Sequence, residues 1–266
     1  MNIRHEFYKL DIETKNSKYK KINRKLKGLY GQLPASKCLF CPGKCSVEAD
    51  CCKVFSPPML LVEFLNAIET INEWDKEKQR TLLFSCLDSF IIIESVKPCI
   101  LLEKNLCSIY GARPLSCRLF SMYPDEEWEK RLNIISKDSN VNKEDLPFFK
   151  QCRNVEIDGN EKTVPTKKSD AIFKKLYKLD IELFQNKEIG TKIVLNDSST
   201  YMPFEAHYIC YKLGAHIIQV LTDMKLMIRK LKENKESGSL EYIKLEKNLK
   251  EFVGVLKNSL VLNNVL

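Results

Sequence analysis

The chain has 266 residues, of which 44% are hydrophobic, and 43 Lys and Arg against 35 Asp and Glu give it a formal charge of +8. That apolar content can build a core, which excludes a disordered chain and fits one domain with an extension or two small ones. The longest apolar runs, such as Phe90–Ile93, are far too short to cross a bilayer, so no membrane association is expected.

From Tyr19 onward, Ile22, Leu26, Leu29 and Leu33 recur at three- and four-residue spacing and predict an amphipathic helix. Lys18, Lys20, Lys21, Lys25 and Lys27 read as its solvated face; aromatic residues are too sparse there for a nucleic-acid surface. The helix leads to Cys38, Cys41, Cys45 and the adjacent pair Cys51-Cys52, with Pro42 and Gly43 supplying turns. Five thiols in so short a stretch exceed what a core requires and point to metal ligation. Ser56-Pro57-Pro58 then reads as an N-cap with proline in the first turn of a helix carrying Leu61, Phe64, Leu65, Ile68 and Ile71. A second helix is predicted from about Asp75 to Leu87, with Cys86 as a core residue among Leu82, Leu83 and Leu87. Phe90–Ile93, aromatic and β-branched, predicts a short strand.

Cys99 to Tyr110 predicts a β-hairpin around Glu103-Lys104-Asn105. A loop centred on Glu103 sets Cys99 and Cys107 directly opposite each other, whereas one centred on Lys104-Asn105 does not. Arg113-Pro114 forces an extended or turning backbone before Cys117. Leu132–Ile135 is strand-like, and the isolated Cys152 stands open between ligand and structural roles. Three long helices follow, Ile172–Phe184, Ala206 to about Lys232 and Leu240 to about Leu262, the last two forming an antiparallel hairpin about Ser237-Gly238. Its facing residues are Val220, Leu221, Met224, Ile228 and Leu231 against Leu249, Phe252, Val253 and Leu256. His207 and Cys210, three apart in a helix, read as structural.

Eleven cysteines beside three histidines exclude an imidazole-rich catalytic zinc site. Met1–Glu6 lacks the apolar stretch of a secretory leader, so a reducing cytoplasmic setting is expected, with the thiols available to metal. Soft thiolates select zinc or iron–sulfur clusters, and both accept four sulfur ligands. Two four-thiolate centres of about −2 each bring the formal charge of +8 down to about +4, so part of the basic excess balances metal. No phosphate loop, dinucleotide-binding turn, nucleophile elbow, His-Glu-x-x-His pair or radical Cys-x-x-x-Cys-x-x-Cys is present.

Cys41, Cys45, Cys51-Cys52, Pro98-Cys99 and the block Cys107-Ser108-Ile109-Tyr110-Gly111-Ala112-Arg113-Pro114-Leu115-Ser116-Cys117-Arg118 resemble the YkgJ-type cysteine-cluster family, whose members are described as zinc- or iron-chelating. Flagellin lysine N-methylase is similar to that family. The resemblance runs from about Cys38 to Cys152, which matches the family's late cysteine; a departure is Cys45 and the five residues between it and Cys51-Cys52. It implies a ligand set drawn from Cys38, Cys41, Cys45, Cys51, Cys52, Cys99, Cys107, Cys117 and Cys152, with Tyr110, Arg113 and Arg118 behind the ligands.

The expected fold is mainly α with a small β portion. An irregular cysteine-rich, metal-binding core with a β-hairpin occupies residues 1–165, and a helical domain occupies 166–266. The expected function is that of a metal-cluster protein holding iron–sulfur or zinc, with a redox or lysine methylase-like role. The other class is a zinc-stabilised, non-catalytic module that binds a protein or RNA, a protein partner being taken through the C-terminal helices.

Overall fold

The computed structural model describes residues 20–34, 36–38, 52, 56–92, 98–104, 106–120, 122–139, 142–145, 155–157, 163–184, 202–234 and 239–262. Helix α1 (Lys20–Tyr30) buries Ile22, Leu26 and Leu29 and leaves Lys20, Lys21, Lys25 and Lys27 exposed, as the spacing predicts. Strands β1 (Ser36–Cys38) and β2 (Pro58–Met59) precede α2 (Leu61–Ile71). Ser56-Pro57-Pro58 therefore does not open a helix. Pro58 is a strand residue opposite Pro203, which suits a two-stranded ladder whose outer edge needs no donor.

Helix α3 (Lys76–Ile91) starts at Asp75, whose side chain accepts from Lys78 N at 2.7 Å. It runs through Phe90 and Ile91, where a strand was expected, because packing along the helix as far as Ser89 outweighs local β-propensity. Strands β3 (Leu102–Glu103) and β4 (Leu106–Cys107) form a tight hairpin, followed by a 3-10 turn over Tyr110–Ala112 and the short α4 (Leu115–Leu119). Helix α5 (Asp125–Ser139) absorbs Leu132–Ile135, also expected as a strand. Leu132 is buried while Ile134 is 60% exposed, which a strand with both on one face would not give.

A 3-10 turn (Lys143–Asp145), β5 (Val155–Ile157), α6 (Thr166–Phe184) and β6 (Met202–Pro203) come next, then α7 (Phe204–Leu213), α8 (Ala215–Glu233) and α9 (Leu240–Leu262). The single helix expected from Ala206 is thus two. Gly214 divides them at φ 93°, where a residue without Cβ is at ease. Among the described residues the strands form three separate antiparallel pairs, β1–β5, β2–β6 and β3–β4, so the protein is mainly α with a small β portion. No helix among them is long and apolar enough to cross a membrane.

Contacts group the chain into two compact units that interleave in sequence. One contains the described residues of Thr14–Thr70 and Val96–Pro203. Here α1 packs on α6, Lys25 pairs with Glu182 at 2.7 Å, and Asn23 Nδ2 donates to Glu69 Oε2 at 2.8 Å, tying α1 to α2. Asp180 of α6 is buried and accepts Val62 N at 2.7 Å, satisfying an amide at the start of α2. Trp128 meets Phe120 edge-on and stacks near Tyr123.

The other unit contains the described residues of Ile71–Ser95 and Phe204–Leu266, namely α3 with α7, α8 and α9. Leu83, Cys86 and Leu87 of α3 and Phe204, Tyr208 and Ile209 of α7 are fully buried, each large apolar side chain contributing roughly 1.5–3 kcal/mol. Cys86 is a core residue, as expected, and His207 and Cys210 are buried in α7. Tyr208 Oη donates to Gln79 O at 3.3 Å and Ser89 Oγ to Glu205 Oε1 at 3.1 Å. The short connection makes α8 and α9 antiparallel, with Leu221, Ile228, Leu249 and Val253 buried. Val220, expected in that seam, is exposed: at 3.6 residues per turn it points about 100° away from Leu221.

Candidate metal centre

Of the nine cysteines expected as ligands, Cys41, Cys45, Cys51 and Cys152 lie outside the described residues, and Cys38 is described through its backbone in β1. Cys99 is buried, and Cys52, Cys107 and Cys117 are half-buried. The two cysteine groups of the sequence meet in the backbone, where Cys99 N donates to Cys52 O at 2.6 Å. Cys99 O accepts Leu102 N at 3.0 Å, so a tight turn passes the chain from Cys99 into β3.

Within the hairpin Leu102 faces Cys107 and Glu103 faces Leu106, the register of a loop at Lys104-Asn105. Cys99 and Cys107 are therefore not cross-strand partners. Lys104 adopts φ 49°, the left-handed value a two-residue hairpin loop requires. Leu101 O closes the base, accepting Ser108 N and Ser108 Oγ, each at 2.9 Å. In another strand pair of the same unit, Cys38 lies opposite Val155. Among the described residues no three His, Cys, Asp or Glu side chains gather as a ligand group, so Cys99, Cys107 and Cys117 do not make a complete centre by themselves.

The segment Tyr110–Arg118 is held by its own arginines. Arg113 Nε donates to Tyr110 O at 3.0 Å, and its guanidinium lies 3.6 Å from the centre of the Tyr110 ring. Arg118 Nε donates to Arg113 O at 2.8 Å and Nη2 to Gly111 O at 2.6 Å, with the guanidinium 4.2 Å from the centre of the Tyr30 ring. The fork thus closes both ends of the turn while the cation lies over an aromatic ring, a combination an ammonium cannot reproduce. Ser116 Oγ, next to Cys117, donates to Pro58 O at 3.2 Å.

Beneath this segment is a residue the sequence reading passed over. Glu63 of α2 is only 2% exposed, and its carboxylate accepts Tyr30 Oη at 2.7 Å and Leu115 N at 2.7 Å on Oε1, and Leu60 N at 2.9 Å on Oε2. One carboxylate therefore serves the first amide of α4 and the amide preceding α2. Burial pushes the Glu63 carboxyl above the usual range, while the Leu115 and Leu60 amides, the Tyr30 hydroxyl and Arg118 pull it down. Burial also pushes the Tyr30 hydroxyl well up, reinforced by Glu63 and by Cys117 nearby. Desolvation lowers Arg118 from its usual value. A sequence signal was present: Glu63 and Asn66 interrupt an otherwise apolar helix that is buried on every side from Leu61 to Ile68.

Residues 37–153 match the CxxCxxCC family model, described as a "putative zinc- or iron-chelating domain". The likeness to that family covers this segment of the chain. Comparison with curated proteins and with solved structures gives no match. The match begins at Lys37 in β1 and ends two residues before β5, which pairs with β1, so the matched segment opens and closes beside one ladder. Its donor chemistry fits a zinc or iron centre: the described candidates offer soft sulfur ligands, and a backbone hydrogen bond joins Cys52 of one sequence group to Cys99 of the other.

Proposed function

We propose that the CxxCxxCC domain holds a thiolate-ligated metal centre, iron–sulfur ahead of zinc, in a reducing cytoplasmic setting, with ligands drawn from Cys38, Cys41, Cys45, Cys51, Cys52, Cys99, Cys107, Cys117 and Cys152. The observation that carries this reading is the bond from Cys99 N to Cys52 O, which joins two cysteine groups far apart in sequence. The pairing of Cys38 with Val155, three positions after Cys152, supports including Cys152. Arg113, Arg118 and Tyr110 stand behind the ligands and fix the backbone around Cys117. When bound, an iron–sulfur cluster supplies one-electron redox chemistry, and zinc supplies folding energy. The chain's biochemical role is redox or protein-modifying, in line with the likeness of its cysteine pattern to lysine methylase relatives.

Protein purified without oxygen is expected to be brown, to bleach with dithionite and to contain acid-labile sulfide. Colourless protein with stoichiometric zinc and no sulfide overturns the iron–sulfur assignment. The second reading, a zinc-stabilised module that binds a protein through its last helices, is favoured by exposed Leu226 and Met227 on α8 and by exposed Ile243 and Val255 on α9.

A further inference from the structure

We propose that Glu63 is a positioning residue of the metal centre, its buried carboxylate fixing the backbone that carries Cys117. The inference rests on the thiolate-metal reading above and extends it to a residue outside the cysteine pattern. The geometry is specific. Oε1 receives Leu115 N, two residues before Cys117, and Tyr30 Oη, whose ring supports Arg118, one residue after Cys117. Oε2 receives Leu60 N and so ties the same carboxylate to the start of α2. The Cys117 backbone is thus gripped on its N-terminal side by Glu63 directly, and on its C-terminal side through Tyr30 and Arg118, which in turn holds Arg113 O and Gly111 O.

A carboxylate is needed because all three of its partners donate. Glutamine in the same place offers one oxygen and turns an NH2 group toward a donor, so either Leu60 N or the Leu115 and Tyr30 pair loses its acceptor. Leu115 N donates to Glu63 Oε1 and Leu60 N to Oε2, so the loss falls on the segment bearing Cys117 or on the helix that supports it. Groups that orient metal ligands from behind typically change metal affinity 10–100-fold when altered.

A role confined to the fold is separable from positioning because α2 has a second buried acceptor at its start. Asp180 Oδ1 accepts Val62 N but touches nothing in the Cys117 segment through that bond. Reduced full-length chain is titrated with Co2+, following thiolate-to-cobalt charge transfer and competition with a chromophoric chelator, while thermal unfolding of each metal-free variant reports the fold. Glu63→Gln is expected to weaken Co2+ by about tenfold or more and to alter the charge-transfer band, whereas Asp180→Asn lowers the melting temperature with wild-type affinity and spectrum. Equal affinities and spectra in Glu63→Gln and wild type, or equal losses in Glu63→Gln and Asp180→Asn, overturn the proposal and leave the metal reading intact. If Glu63→Gln does not fold, Tyr30→Phe decides: it withdraws one donor from the same oxygen, and a smaller loss of affinity is expected, wild-type affinity being the refuting result. Wild-type chain that develops no thiolate-to-cobalt band overturns the metal reading itself, and this inference with it.

Discussion

Arg118→Lys keeps the positive charge beside Cys117 and removes the fork, so it separates hydrogen-bond geometry from charge. The guanidinium makes two bonds to carbonyls, at 2.8 Å to Arg113 O and 2.6 Å to Gly111 O, and its carbon lies over the Tyr30 ring, 4.2 Å from the centre. A lysine ammonium reaches one of those carbonyls at best. Losing one bond from a charged donor costs about 1.5 kcal/mol, and losing the stack on Tyr30 adds about 0.5 kcal/mol. A total of about 2 kcal/mol corresponds to a fall of about 4–8 °C in melting temperature for a domain of this size. Thermal unfolding of reduced full-length protein, followed by circular dichroism with and without added Zn2+, measures it. Metal retention should fall in the same variant, because the turn that presents Cys117 loosens. A melting temperature within about 1 °C of wild type, with metal fully retained, refutes the geometric argument and leaves Arg118 a role of charge alone.

Serine at Cys99, Cys107 or Cys117 should lower bound metal and, because metal binding energy is folding energy in such centres, lower the melting temperature too; elemental analysis of the three variants decides, and wild-type metal content in all three removes them from the ligand set. Glu127 accepts the Thr166 side-chain and backbone donors at the start of α6, and these hydrogen bonds hold its carboxyl below the usual range. A depressed carboxyl contributes stability that is present above the unfolded pKa of about 4.3 and lost as the pH falls through the folded value. Melting curves of wild type and Glu127→Gln should therefore separate at neutral pH and converge on acidification below about pH 4, and parallel curves across that range would count against the cap. Gly214→Ala forces a Cβ onto a backbone at φ 93° and should cost about 1–3 kcal/mol, read by urea unfolding; an unchanged midpoint would mean that the break between α7 and α8 relaxes freely.

Periodicity in the sequence was enough to find most helices and their buried faces. Ile22, Leu26 and Leu29 repeat at helical spacing and are buried in α1, and α9 spans the predicted Leu240–Leu262. The misread segments are those where a short apolar run looks alike in either conformation. Phe90 and Leu132 each belong to helices whose burial is decided by tertiary neighbours, which no local window contains. The hairpin at Cys99–Tyr110 was visible, but its register turns on whether Lys104 enters the left-handed region, a choice that side-chain pattern does not encode. In the candidate site, the cysteines and arginines announced themselves by type and spacing. Glu63 and Tyr30 did not, because each acquires meaning from partners 52 and 33 positions away.

The interleaving of the two units has a consequence for how the protein is made. Helix α3 is complete at Ile91, yet α7, which covers it, begins at Phe204. At roughly 5–20 residues per second, a ribosome takes on the order of 5–20 s to cross that gap. Throughout that interval Leu83 and Leu87 of the nascent α3 lack the helices that bury them in the finished protein, and a chaperone has an apolar face to hold. The candidate ligands Cys52, Cys99, Cys107 and Cys117 all leave the ribosome before Phe204 does. Metal capture can thus precede closure of the helical unit, and metal starvation during translation would prolong the exposure of the cysteine segment while α3 still waits for its partners.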